Sequence, residues 1–206
     1  MAVPFEQRNF QKELDRLILK QETAGIVPRL LLHSCCAPCS SYVIEYLSQF
    51  FHITVFYYNP NISKEEEYRK RVAEQKRFIQ EFPAKYPVDF VEGEYDTERF
   101  YDCAKGYETC KEGGARCFHC YELRLRRTAQ LAKEMNVDYF TTTLSISPLK
   151  NSVKLNQIGL QLEEEFGVRY LLSDFKKKEG YKRSIELSRE YNLYRQNYCG
   201  CVYSQV

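Results

Sequence analysis

The sequence predicts an α/β fold, a three-layer sandwich in which helices cover both faces of a mostly parallel sheet. Two observations carry this. Short apolar runs of strand length recur along the chain, and longer segments between them repeat their apolar residues at helical spacing. That alternation is the pattern of β–α–β crossovers. A third observation bounds the size: 206 residues without a repeat or low-complexity linker suit a single domain over 1–206 with one substantial core.

The elements follow in order. Phe10, Leu14, Leu17 and Ile18 line one face of an amphipathic helix over 5–23. After Pro28, Arg29–His33 is a short apolar run that reads as a buried strand. Pro38 is tolerated in a first helical turn, and Ser40–Phe50 reads as a helix beginning near it. Ile53–Tyr58 is a second strand, stopped by Asn59, Pro60 and Asn61. Ser63 and Glu66 have the spacing of a capping box, opening a helix with Tyr68, Val72, Gln75, Ile79 and Phe82 inward. Val88–Val91 is a third strand. Residues 93–116, with glycines among charged residues, read as an irregular, cysteine-containing insertion. Arg116–Met135 is a helix with Leu125, Ala129 and Ala132 inward, and Tyr139–Leu144 a fourth strand. Leu155, Ile158, Leu162 and Phe166 stripe another helix. Arg169–Leu172 is a fifth strand and Tyr181–Tyr191 a last helix. Ligands of such sheets bind beyond the carboxyl ends of the strands, which selects the loops after Leu32, Tyr58 and Leu144.

No apolar run approaches membrane-spanning length, and the first residues lack the apolar centre of a secretory signal. The expectation is a soluble cytoplasmic protein with no membrane partner. Cytosolic thiols stay reduced, so nine clustered cysteines read there as metal ligands or redox groups, and the odd count argues against a closed disulfide framework. The net charge of +2 selects no partner. Its distribution is uneven: Arg116, Arg124, Arg126 and Arg127 crowd one segment, and Lys176, Lys177, Lys178, Lys182 and Arg183 another. With 17 tyrosines these clusters suit nucleic acid, and they equally suit solvated faces.

The loop after the first strand carries Cys35, Cys36 and Cys39 and has no glycine, so it does not cradle phosphate. It sets three thiols near a helix N-terminus, which favours thiolates. Cys117 and Cys120 form a Cys-x-x-Cys pair entering the arginine-bearing helix, and Cys199 and Cys201 flank Gly200 in the tail. Cys103 and Cys110 have no close partner in sequence. Four thiolates from two pairs hold either zinc or an iron–sulfur cluster. Adjacent Cys35 and Cys36 diverge, which suits a multi-iron cluster better than one tetrahedral ion. A thiol/disulfide oxidoreductase using Cys36 and Cys39 is the rival, but it leaves the other clusters unexplained. His33, His52 and His119 read as ordinary polar residues.

Together these segments resemble the epoxyqueuosine reductase family of the QueH type. The resemblance runs through LLLHSCCAPCSSYV (30–43), YYNPNI (57–62), GARCFHCYELRL (114–125), TTTLSISPLK (141–150), SDFKKKEGYKRSIELS (173–188) and YRQNYCGC (194–201). It implies a sheet similar to the nucleotide alpha-hydrolase (HUP) fold and the reduction of epoxyqueuosine to queuosine in tRNA. It also implies a 4Fe-4S cluster on Cys35, Cys36, Cys117 and Cys120. Opening an epoxide to an alkene takes two electrons and two protons, whereas a cluster passes one electron at a time. A second element is therefore expected. It is either a redox-active disulfide between Cys199 and Cys201, whose small ring would be strained and labile, or a second iron near the cluster on leftover thiols, Cys39 among them. The electron donor is unidentified, and a tyrosine or acid near the tail is the expected proton source. The alternative from another class is a zinc-stabilised, non-catalytic tRNA-binding module.

Overall fold

The computed structural model of the chain describes residues 4–204. Its centre is a sheet of five strands: β1 Arg29–His33, β2 His52–Tyr57, β3 Val88–Glu92, β4 Tyr139–Thr142 and β5 Arg169–Tyr170. Every pairing is parallel and the order is β3-β2-β1-β4-β5. The helices are α1 Phe10–Thr23, α2 Ala37–Leu47, α3 Glu65–Glu81, α4 Thr97–Ala104, α5 Ala115–Glu134, α6 Ser152–Phe166 and α7 Gly180–Glu190.

Strand alternation builds the layers. Leu30 and Leu32 of β1 join Ile53 and Val55 of β2 in a core with α1, α2 and Phe78 of α3. Leu31, Phe56 and Phe140 point the other way, into a core with α5 and α6. This is the α/β sandwich the sequence predicts, with the sheet parallel throughout. Leu30, Leu31 and Leu32 are wholly buried because β1 is the middle strand and both its faces are covered. α6 approaches the sheet closely at Gly159, where a Cβ would lie 2.3 Å from the Tyr170 ring. Gly167 ends that helix in a left-handed turn at φ +74°.

The chain runs outward from β1 to β2 and β3, then returns to lay β4 and β5 on the other side of β1. The crossovers through α2 and α3 lie on one face and those through α5 and α6 on the other. The loops after β1 and β4 therefore part in opposite directions, and the crevice at that switch point is where such sheets take ligands.

Several boundaries differ from those read in the sequence. Residues 5–7 form a short 3-10 turn, and α1 begins at Phe10 because Asn9 caps it by accepting the Lys12 N–H. The capping box does not form. Lys64 holds the N-cap position of α3, and Ser63 instead turns to the tail, donating its backbone N–H (3.1 Å) and its hydroxyl (3.3 Å) to the Gly200 carbonyl. β4 stops at Thr142 in a 3-10 turn, Thr143–Ile146. Within residues 93–116, read as irregular, lies α4, whose Phe100 and Ala104 pack with Cys120 and Cys201. No described helix is long and apolar enough to cross a membrane.

A candidate metal centre at the sheet switch point

β1 runs directly into the first thiols. Cys36 sits at the N-cap of α2 with extended backbone, and Pro38 occupies the first turn. That turn brings Cys39 back beneath Cys35 and Cys36. The three sulfurs lie within 4.8 Å of one another, and Cys35 and Cys36 are 3.9 Å apart. The loop is tied across the switch point: Thr143 accepts the Cys35 N–H at 3.3 Å, and its hydroxyl lies 3.5 Å from the Cys35 sulfur. Asn59, beyond β2, donates to the Ser34 carbonyl at 2.8 Å. All three loops selected from the sequence thus meet.

His33 ends β1 fully buried. Tyr58 offers it only a carbonyl (3.0 Å), so Nε2 carries the proton and Nδ1 accepts from the Thr142 hydroxyl (2.9 Å). Burial pushes its pKa down to about 3, so the ring is a neutral strut. His52 is exposed at the far end of β2, and His119 is exposed beside Tyr107. The reading of all three as ordinary polar residues fits these positions.

The second group of thiols is assembled from distant elements. Cys117 and Cys120 lie on the first two turns of α5, and the Cys117 sulfur accepts the Gly113 N–H at 3.3 Å. Both line a small cavity with Cys199 and Cys201. A larger cavity of about 180 Å³ is lined by Cys35, Cys36, Cys39 and Cys199. Glu112, Lys150 and Cys199 line both, so they form the wall between the two. Lys150 is nearly buried, with Nζ 3.1 Å from Glu112 and 3.4 Å from the Cys199 sulfur. The tail is fastened there by Arg71, whose Nη1 donates to the Cys199 carbonyl at 3.2 Å. Gly200 at φ +110° has no room for a Cβ, which would meet Ile62 at 2.9 Å.

The electrostatics of the two groups differ. In the first, hydrogen bonds from Cys35 and Cys39, helped by Gln196, hold the Cys36 thiol well below its ordinary pKa. The same contacts push Cys39 well above it and raise Cys35. In the second, burial pushes Cys120 up to about 12 and raises Cys201. Burial opposes the Lys150 charge too, but Cys199, Tyr121 and Glu112 outweigh it and keep the ammonium. A cation supplied from outside would replace the thiol protons in both groups, and an all-sulfur donor set selects soft or iron–sulfur chemistry. The nine cysteines are free thiols here.

The structure brings Cys35, Cys36 and Cys39 together, and places Cys117 and Cys120 with Cys199 and Cys201 around the adjoining cavity. Cys103 packs beside Cys120 and Cys201, with its thiol pushed up to about 11 by burial. The sequence missed Thr143, Lys150, Glu112 and Gln196. Lys150 belongs to the loop after Leu144, which the strand-end rule had already singled out, whereas Thr143 was read as part of the fourth strand and lies beyond its end.

The two basic clusters are corrected by the structure. Arg116 and Arg124 are buried. Arg126 pairs with Glu122 and Glu165, and Arg127 with Glu134. Lys176 pairs with Asp174, Lys178 with Asp15, Lys182 with Glu179, and Arg183 with Glu45, Glu186 and Glu190. Lys177 is exposed and has no ion pair among the described residues, whereas the other cations named are buried or paired within the chain.

Comparison with known proteins gives a consistent set. The sequence profile of the family described as "Epoxyqueuosine reductase QueH" matches residues 30–206. The epoxyqueuosine reductase QueH of Streptococcus pyogenes serotype M1 is 42% identical over 203 residues, covering 98% of this chain and 80% of that protein. The protein of that name from Staphylococcus epidermidis is 42% identical over 202 residues, 96% of this chain and 85% of its own length. That from Thermotoga maritima is 38% identical over 181 residues, 85% of this chain and 89% of its own.

Proposed function

This chain belongs to the epoxyqueuosine reductase QueH family, and we propose that it is an oxidoreductase that reduces epoxyqueuosine to queuosine in tRNA, in the cytoplasm. The observation that carries this for the chain itself is the convergence of Cys35, Cys36 and Cys39 with the cavity of Cys117, Cys120 and Cys199 at the sheet switch point. The donor set fits an iron–sulfur centre. The sulfurs come from two elements and buried Arg124 and Lys150 stand beside them; Cys35 and Cys36, expected from their adjacency to diverge, instead lie 3.9 Å apart and close on Cys39.

Cys35, Cys36, Cys117 and Cys120 would hold a 4Fe-4S cluster, leaving Cys39, Cys199 and Cys201 free. When bound, the cluster supplies electrons one at a time. The reaction adds two electrons and two protons to the epoxide, breaks both C–O bonds, forms the C=C bond and releases water. The larger cavity beside Cys36 and Cys199 receives the reacting ring. Groups on its wall that hold or move a proton are Lys150 at Nζ, Glu112, Tyr181 and Tyr198. Cys199 borders this space and Cys201 the adjoining small cavity, and the pair is the candidate for the second electron, as a disulfide or as ligands of a second iron with Cys39.

The test is anaerobic purification followed by iron and sulfide analysis, then incubation with tRNA carrying epoxyqueuosine and a chemical reductant. The expected result is about four irons and four sulfides per chain, with queuosine released on nucleoside digestion. Stoichiometric zinc without labile sulfide, and no product, would establish the zinc-stabilised module instead.

A further inference from the structure

Arg124 is a charge in the wrong place for a surface residue. It lies on α5 one turn beyond Cys120 and is 1% exposed. A guanidinium does not lose its proton in a protein, so the charge must be compensated where it sits. Its partners are neutral: Nε donates to the Cys120 carbonyl at 3.2 Å and Nη1 to Asn59 Oδ1 at 3.4 Å. Nη2 is buried without any partner. Among the described residues no carboxylate forms an ion pair with it. An uncompensated buried charge costs several kcal/mol, so the fold implies an anion beside it. The small cavity it lines offers Cys117, Cys120 and Cys199. Arg124 also reaches the first thiol group mechanically, because the Asn59 amide it holds donates in turn to the Ser34 carbonyl.

We infer that Arg124 is the buried counter-charge of the thiolate centre, and that it holds the midpoint potential of the cluster bound there higher than the thiolates alone would set it. This rests on the iron–sulfur reading of the same site. One-electron reduction, the electron coming from an added reductant, adds one negative charge to the centre. A fixed positive charge nearby stabilises the reduced form more than the oxidised one, and the effect is strong in a dry interior. Lys150 contributes in the same sense from the cavity wall, but it shares its charge with Glu112.

The experiment compares wild type, Arg124→Gln and Arg124→Lys, each reconstituted anaerobically. Iron and sulfide are counted, then the protein is titrated with dithionite and followed by the electron paramagnetic resonance signal of the reduced cluster. Arg124→Gln should shift the reduced-to-oxidised ratio at fixed potential about tenfold toward oxidised, a midpoint about 59 mV lower for a one-electron couple. Arg124→Lys keeps the charge and should stay near wild type, whereas a role in shape alone would damage both variants alike. Arg124→Met carries the comparison if the glutamine chain does not fold, with folding judged by thermal melts of the metal-free chains. Loading of the lysine variant but not of a folded neutral one also supports the charge role. Equal midpoints with equal cluster content overturn it, as does failure of both charged and neutral variants to load although both fold. Wild-type protein without iron or sulfide would overturn the cluster reading itself, before any variant is compared.

Discussion

Cys35, Cys36 and Cys39 are gathered by a single strand-to-helix turn, whereas Cys120, Cys199 and Cys201 meet only because α5, α4 and the tail pack together. The first group is local, and its three sulfurs lie within 4.8 Å of one another. The second is long-range, separately desolvated, and walled by Lys150 and Arg124. Thiols of the first kind are in place as soon as β1 and α2 form. Those of the second depend on the whole domain, which lets the fold control their distance from the first group.

The sharpest way to break this comparison is to remove one thiol from each group. Cys36→Ser and Cys120→Ser should both lose the cluster, from about four irons per chain to under one, and turnover with it. Cys103→Ser and Cys110→Ser are the controls and should load fully. Retention of a full cluster signal by both Cys36→Ser and Cys120→Ser would dissolve the pairing of the two groups.

Next in size is the tail. Cys199→Ser and Cys201→Ser should keep iron, sulfide and tRNA affinity yet lose product formation about a hundredfold or more, the scale expected for groups that act on the reacting atoms. Near-normal turnover in both would make the pair a packing element.

A smaller effect separates local from long-range assembly. Gly200→Ala forces a side chain onto a backbone at φ +110° and against Ile62. A cost of about 1–3 kcal/mol is expected in denaturant unfolding, with turnover reduced and the first thiol group untouched. Unchanged stability would show that the tail is not tied where the structure ties it.

The smallest effect belongs to the exposed face of α5. Arg126 forms half-exposed pairs with Glu122 and Glu165, so Arg126→Met should change stability by about 0–1 kcal/mol. Filter binding should show tRNA affinity barely altered. A large loss would restore the basic patch that the sequence suggested and the ion pairs argue against.

Much of this was legible beforehand. The apolar run Leu30–Leu32 marks the central strand, and the adjacent Cys35 and Cys36 with Cys117 and Cys120 mark the site, because local spacing decides both. Ser63 and Glu66 misled: the capping pattern is local, but the Gly200 carbonyl competes for Ser63 from 137 residues away. Arg124 misled in the same manner. By composition it belongs with Arg126 and Arg127, and only burial separates them. One sequence signal does exist, since Cys120 and Arg124 are four residues apart and share a helix face. Lys150 and Glu112 lie far apart in the chain, and no spacing rule joins them.

The backbone carbonyls of the tail are each held: that of Cys199 by Arg71, that of Gly200 by Ser63, and that of Cys201 by Ser204. Bringing the two sulfurs together would therefore rest on rotations about their side-chain bonds, the backbone being tied already. The tie fixes where the backbone of the pair stands, so its separation from Lys150 and Glu112 on the shared cavity wall is set by the fold and not by loop motion.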